Sequence, residues 1–277
     1  MTTIHRTSLL RFCLALLIAS LAATSFATEK LDVKKSKTAT AKLVKKSIAK
    51  PAVEDLGPGA IVGKYVKRAN FKTETASSEV RQMADWVADS GDNKHMPFVI
   101  LDKKEAKAYV FHAHGGLKGA TPVLLGITVG DDSFPGVGNK PLRDVKPEEK
   151  TTPAGRFMAA SDKNLHGADI VWIDYESSVS MHAVVKGTLA ERRAERLASP
   201  IPTERRISFG CVNVPTTFFK STLLPSFRKS DGIVYVLPET RATKQSFAAY
   251  YDVNDKEKLA SAQEDPIAKF ASSPKSE

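Results

Sequence analysis

From Pro97 onward the chain is a succession of short apolar runs separated by turn signals, and this limits what it can fold into more than any other feature. Phe98-Val99-Ile100-Leu101 reads as a strand, the polar stretch Asp102-Lys103-Lys104-Glu105 as a turn, and Ala108-Tyr109-Val110-Phe111 as the returning strand. Gly115-Gly116 turns into a third predicted strand, Pro122 to Val129. After Gly130-Asp131-Asp132 a long loop rich in Gly and Pro ends in Thr151-Thr152-Pro153-Ala154-Gly155-Arg156-Phe157, and further strands are expected over Asp169 to Asp174, Val179 to Ala183 and Gly232 to Leu237. Many short strands and little helix predict a mainly β domain over residues 97–240, with a few short helices and no internal repeat.

The segments on either side are of other kinds. Residues 55–96 form a helical lead-in: Val80, Met83, Ala84 and Val87 recur at helical spacing, Ser78 is placed to cap the helix and Gly91 to end it near Ser90. That face is a packing face. Residues 1–27 carry Arg6 and Arg11, an apolar run from Phe12 to Ala23, and small residues at Ser25 and Ala27, the pattern of a signal peptide cleaved near Ala27. The run falls short of the about 20 apolar residues a spanning helix needs, so no transmembrane span is expected after cleavage. Residues 28–54 are rich in Lys, Ala, Thr and Ser and poor in large apolar side chains, which predicts a flexible, disordered basic linker. Much of the formal net charge of +10 lies in these two segments. The linker suits an anionic cell-envelope surface, and a solvated tether with no specific partner suits it equally. No interleaving of aromatic and basic residues points to nucleic acid. Residues 241–277 form a C-terminal extension with a polar end, expected to be partly disordered.

The chain has two cysteines, Cys13 within the apolar leader and Cys211. Removal of the leader leaves Cys211 as a lone thiol in an exported protein, where an unpaired cysteine is either a small buried core residue or a working group. Its neighbours favour work. Gly210 allows a sharp turn and a close approach to a substrate, and Ser208 and Asn213 put a hydroxyl and an amide beside the thiol. Such a turn can aim backbone N–H groups at a developing oxyanion, while the thiol itself needs a base to become a thiolate.

The order of these features resembles the L,D-transpeptidase catalytic domain, the cysteine enzymes that cross-link peptidoglycan stem peptides. A hairpin beginning Phe98-Val99-Ile100-Leu101-Asp102, the loop Thr152 to Phe157, a histidine (His182) at the end of a strand and then Ser208-Phe209-Gly210-Cys211-Val212-Asn213 follow one another over about half the chain. The resemblance implies an L,D-transpeptidase-like β-sandwich or barrel, with Cys211 as nucleophile and His182 as base. It also implies that a backbone carbonyl near Ala183 orients the imidazole. Ser208, Gly210 and Asn213 then shape the turn, and Arg156 and Trp172 are weaker candidates for the cleft.

Two departures stand out. The family usually carries a second histidine where this chain has Phe209, which can neither give nor take a proton. The interval between His182 and Cys211 is also longer than usual, the surplus falling in residues 187–206, where five arginines mix with three glutamates. This insert is either a short helical lid or a salt-bridged surface helix. His95, His112, His114 and His166 lie outside the motif positions, and without a second ligand cluster near His112 and His114 no metal or other cofactor is expected. The resemblance implies peptidoglycan stem peptides as partners and a periplasmic or cell-envelope location. The expected reaction is transpeptidation through a thioester. Hydrolysis by the same thiol, as a carboxypeptidase or endopeptidase, is the alternative, and a catalytically silent wall-binding domain is a third, motivated by Phe209.

Overall fold

The computed structural model describes residues 59–271, so the expected signal peptide (1–27) and linker (28–54) lie outside the described residues. A small hairpin of β1 (Ile61–Val62) and β2 (Lys67–Arg68) precedes the helix Ser78–Ser90. The helix is capped by Ser77, one residue earlier than the spacing suggested, and its Oγ accepts the Val80 N–H. The same hydroxyl donates to Asp102 Oδ2 at 2.7 Å, tying the helix start to the sheet. Gly91 ends the helix in the left-handed region. Ser77→Ala is expected to cost about 1 kcal/mol through the lost cap, read as a fall in the thermal midpoint with the spectrum of the folded protein unchanged.

The main sheet is built from β3 (Phe98–Asp102), β4 (Lys107–Phe111), β5 (Leu117–Pro122), β7 (Gly155–Lys163), β8 (Asp169–Asp174), β9 (Val179–Ala183), β11 (Val212–Val214) and β12 (Gly232–Val236), in the order β11-β9-β8-β7-β12-β3-β4-β5. The remaining short strands, β6 (Leu125–Gly126) and β10 (Arg206–Ser208), pair in parallel with each other. Just past β5, Leu124 exchanges both backbone hydrogen bonds with Asn213 on β11, each 2.9 Å, so the two ends of the sheet meet and the sheet closes nearly into a barrel. The mainly β, barrel-like fold with few helices is therefore as the sequence suggested.

The alternation of side chains explains why the strand runs are continuously apolar. Val99 and Leu101 point into the barrel with Val110, Val171, Met181, Val212 and Val234, and are closed in by Phe219 and Leu223. Phe98 and Ile100 point outward with Tyr109, Phe111, Ile233 and Tyr235, where Val80, Met83, Trp86 and Val87 of the helix cover them. Both faces of these strands are buried, so neither can be polar. Phe98 stacks on Phe111 with ring centroids 4.6 Å apart.

Three local expectations are corrected. The third strand is Leu117–Pro122, directly after the glycine turn, because Leu117 pairs with Phe111 in the outer core, Thr121 pairs with Ala108 of the barrel interior, and Pro122 ends the ladder. The loop before Arg156 ends at Ala154, and Gly155 to Phe157 already pair with β12. The predicted polar turn at 102–105 buries its first two residues, Asp102 and Lys103. In the C-terminal extension, Phe247 and Val253 join the outer core, and Val253–Ala271 is a helix tied back by Arg68, which bridges Asp85 and Glu257. Residues 272–277 lie outside the described residues. No helix among the described residues is long and apolar enough to cross a membrane.

Candidate functional site

Cys211 lies in the turn Phe209-Gly210-Cys211 between β10 and β11, and the strand pairing sets its partner. β11 runs parallel to β9 with Val212 opposite Met181, Asn213 opposite His182 and Val214 opposite Ala183. The cysteine is thus delivered to the end of the ladder beside β9, on whose outer face Ser180 and His182 stand while Val179 and Met181 fill the barrel. The His182 Nδ1–H donates to the Ala183 carbonyl at 2.9 Å, which fixes the ring and leaves Nε2 to exchange a proton.

The turn is held from three sides. Ser208, fully buried, accepts the Gly210 N–H at 3.1 Å and donates to the Cys211 carbonyl at 2.6 Å. Thr152 Oγ1 donates to the Gly210 carbonyl at 2.8 Å and accepts the Gly126 N–H. Asn213 sends its amide N–H toward the Cys211 carbonyl and receives Arg193 Nη1 on its Oδ1 at 2.8 Å. Gly210 has φ +128°, and a Cβ there would stand 2.7 Å from the Thr151 carbonyl oxygen. Gly210→Ala is therefore expected to cost about 2–3 kcal/mol from strain and close contact, measured by denaturant unfolding, and to slow alkylation of Cys211 because the turn must shift.

The electrostatics couple the two residues. Burial pushes the Cys211 thiol up, but its hydrogen bond with His182 and the imidazolium charge outweigh this, aided by the Ser180 N–H and hydroxyl, and the net pKa lies below the ordinary thiol value. Burial pushes His182 down, while the interaction with Cys211 and the Ala183 carbonyl raise it above its ordinary value, against an opposing contribution from the Arg193 charge. Each charge thus favours the other, and the pairing promotes a thiolate facing an imidazolium. Ser180 Oγ lies 3.8 Å from Sγ, and the Ser178 carbonyl lies 3.6 Å from it.

The structure thus brings together Cys211, His182, Ala183, Ser208, Gly210 and Asn213. Phe209 is half-buried beside them, its ring covered by the Lys150 ammonium at 4.0 Å. Trp172 sits opposite Ser180 on β8, on the same outer face, with Tyr175 packed edge-on at 5.1 Å and its Nε1 bonded to Asp162. Arg156 is elsewhere: it pairs with Asp92 at 2.6 Å and lies near the Tyr235 ring on the helix side of the sheet, so its assignment to the cleft is corrected. Its register partner on β12 is Tyr235, an outer-core residue, which turns the guanidinium away from Cys211.

Several contributors escaped sequence reasoning. Ser180 was within reach, since it lies two residues before His182 and so shares its face. Arg193 was not, because nothing distinguishes it from the other arginines of the insert. The insert forms the short helix Arg193–Ala198, and its root is anchored: Arg193 grips the Glu191 carboxylate with Nε and Nη2 while reaching Asn213. It therefore buttresses the cysteine turn from behind, and Arg196 and Arg205 bind backbone carbonyls of Glu204 and Ser199 within the same segment. Among the described residues no group of three or more His, Cys, Asp or Glu side chains could hold a metal ion.

No protein-family model and no curated protein sequence matches the chain. Solved structures do. The helical cell shape determining protein Pgp2 from Campylobacter jejuni matches with a TM-score of 0.35 and 12% identity, over 53% of this chain and 49% of that one. The chain thus spans about half the length of that protein. An L,D-transpeptidase from Xylanimonas cellulosilytica matches with a TM-score of 0.33 and 12% identity, over 51% of this chain and 60% of the other. The catalytic domain of an E. faecium L,D-transpeptidase matches over 98% of its own length and 52% of this chain, with a TM-score of 0.29 and 15% identity.

Proposed function

We propose that the chain is an exported cysteine acyltransferase of the cell wall, an L,D-transpeptidase acting on peptidoglycan stem peptides. The observation that carries this reading is the β9–β11 register, which sets the Cys211 turn beside His182 while the Ala183 carbonyl holds the imidazole through Nδ1 and leaves Nε2 to Cys211. His182 takes the Sγ proton, and the thiolate attacks the carbonyl carbon of the third stem residue. The Gly210 N–H is engaged by Ser208. The Cys211 N–H is thus the turn amide left for the oxyanion. The tetrahedral intermediate collapses as the C–N bond to the terminal D-alanine breaks and His182 returns its proton to the leaving amine. An amine from a second stem then attacks the thioester, gives its proton to His182 and expels the thiolate, forming the cross-link.

The charged linker and the leader fit this reading as a tether toward anionic envelope polymers and an export signal. Water in place of the second amine makes the same site a carboxypeptidase or endopeptidase. The test is mass spectrometry of the protein incubated with disaccharide tetrapeptide, beside Cys211→Ala. A cysteine-dependent dimer joined through the third residues is expected. A shortened monomer alone replaces transfer by hydrolysis, and unchanged substrate in both samples leaves a wall-binding domain without catalysis.

A further inference from the structure

The stretch 150–152 touches the cysteine turn through its backbone: the Thr151 carbonyl lies against Gly210, and Thr152 Oγ1 holds the Gly210 carbonyl. Lys150 itself is pinned at both backbone atoms, its N–H donating to the Pro147 carbonyl and its carbonyl accepting the Thr128 N–H, each at 3.1 Å. Its ammonium is thereby placed next to the turn, and it rests 4.0 Å from the centre of the Phe209 ring, two residues before the thiol. No carboxylate among the described residues is paired with it, and the adjacent Glu149 is bound by Lys140. An aromatic face attracts a cation but does not neutralise it, so the charge stays available to an incoming anion. Arg193, whose charge acts on His182, is already committed to Glu191 and Asn213.

We infer that Lys150, seated on Phe209, is the carboxylate-reading residue of the site and binds the free terminal carboxylate of the residue that leaves when Cys211 is acylated. The inference deepens the reading given above, and the phenyl ring at position 209 acquires a role as the seat of that cation. Lys150 acts by binding and orientation. It places the scissile carbonyl over the thiolate and selects acyl donors whose leaving residue ends in a carboxylate.

The first measurement needs no peptide turnover. Second-order rates of Cys211 alkylation are compared for iodoacetate, an anion, and iodoacetamide, its neutral isostere. In Lys150→Gln the iodoacetate rate is expected to fall about fivefold through loss of one nearby charge, with the iodoacetamide rate unchanged. Raised salt reduces the difference in the original protein. Lys150→Arg retains the anionic preference, and Phe209→Leu, which removes the π face, weakens it. An equal fall for both reagents, meaning a damaged turn, or no fall for either, overturns the assignment. The second measurement uses tetrapeptide donors amidated at the terminus or at a side-chain carboxylate of the third residue. Terminal amidation is expected to raise KM about fivefold in the original protein and to have no effect in Lys150→Gln. Sensitivity to side-chain amidation instead overturns the choice of carboxylate. Anionic selectivity in alkylation with no processing of any peptide sustains the subsite and removes the stem-peptide reading, so the two fail separately.

Discussion

His182→Ala is expected to lower turnover about 10²–10⁴-fold and to move the pH profile of Cys211 alkylation to higher pH. The sign follows from the coupling of the two groups. His182 holds the thiol pKa below its ordinary value against burial, which acts in the opposite direction. Removing the imidazole leaves only the Ser180 N–H and hydroxyl to oppose burial, so the thiolate appears at more alkaline pH. In the original protein the alkylation rate is expected to climb through an inflection below that of a free cysteine, and the stability held by the pair has two limits. The contribution of Cys211 is lost as pH falls through its lowered pKa, and that of His182 as pH rises through its raised one. Asn in place of His182 keeps much of the volume but not the charge, and is expected to resemble Ala in the alkylation profile. An unchanged profile in both variants refutes the pairing whatever happens to turnover.

Lys103→Met is expected to cost about 3–5 kcal/mol, a large part of the total stability of a domain this size. Lys103 is fully buried, with its ammonium 2.7 Å from Asp131, 3.4 Å from Glu239 and hydrogen-bonded to the carbonyls of Gly130 and Thr152. Glu239 is also paired with Arg206 on β10. Methionine fills the space but strands the Asp131 carboxylate, which burial pushes up yet Lys103, Thr240 and the Glu239 and Thr240 amides hold well below the usual carboxylate range. The thermal midpoint is expected to fall by about 10 °C, and adding Asp131→Asn to Lys103→Met restores part of the loss by removing the stranded charge. Because the depressed Asp131 pKa stabilises the fold above the unfolded carboxylate value, that contribution persists at neutral pH. It is lost only as pH falls below about 4. Calorimetry of the two variants across acid pH checks both statements.

The two networks also show what a sequence discloses. The cysteine turn was legible because its information is local: Ser208, Gly210, Cys211 and Asn213 lie within six residues, and each has a backbone or side-chain task inside that span. The strands were legible because burial on both faces leaves uninterrupted apolar runs. Lys103 was not, since a lysine in a polar tetrapeptide between two strands reads as a solvated turn, and its partners are distant in sequence. The same limit applies to Arg156, whose position before Phe157 gives no sign of the Asp92 carboxylate, and to Arg193, one arginine among several. The start of the third strand was misplaced because Leu117-Lys118-Gly119-Ala120 has little apolar content and owes its conformation to pairing with β4.

Asn213 serves two structures at once. Its backbone exchanges the hydrogen bonds with Leu124 that join the sheet's ends, and its side chain links the Cys211 carbonyl to Arg193. The joint links chain segments far apart in sequence, the kind of contact that forms late because loop closure must precede it. The lowered pKa of the Cys211 thiol is therefore a property of the assembled sheet, because His182 reaches it only through the β9–β11 pairing that this joint borders.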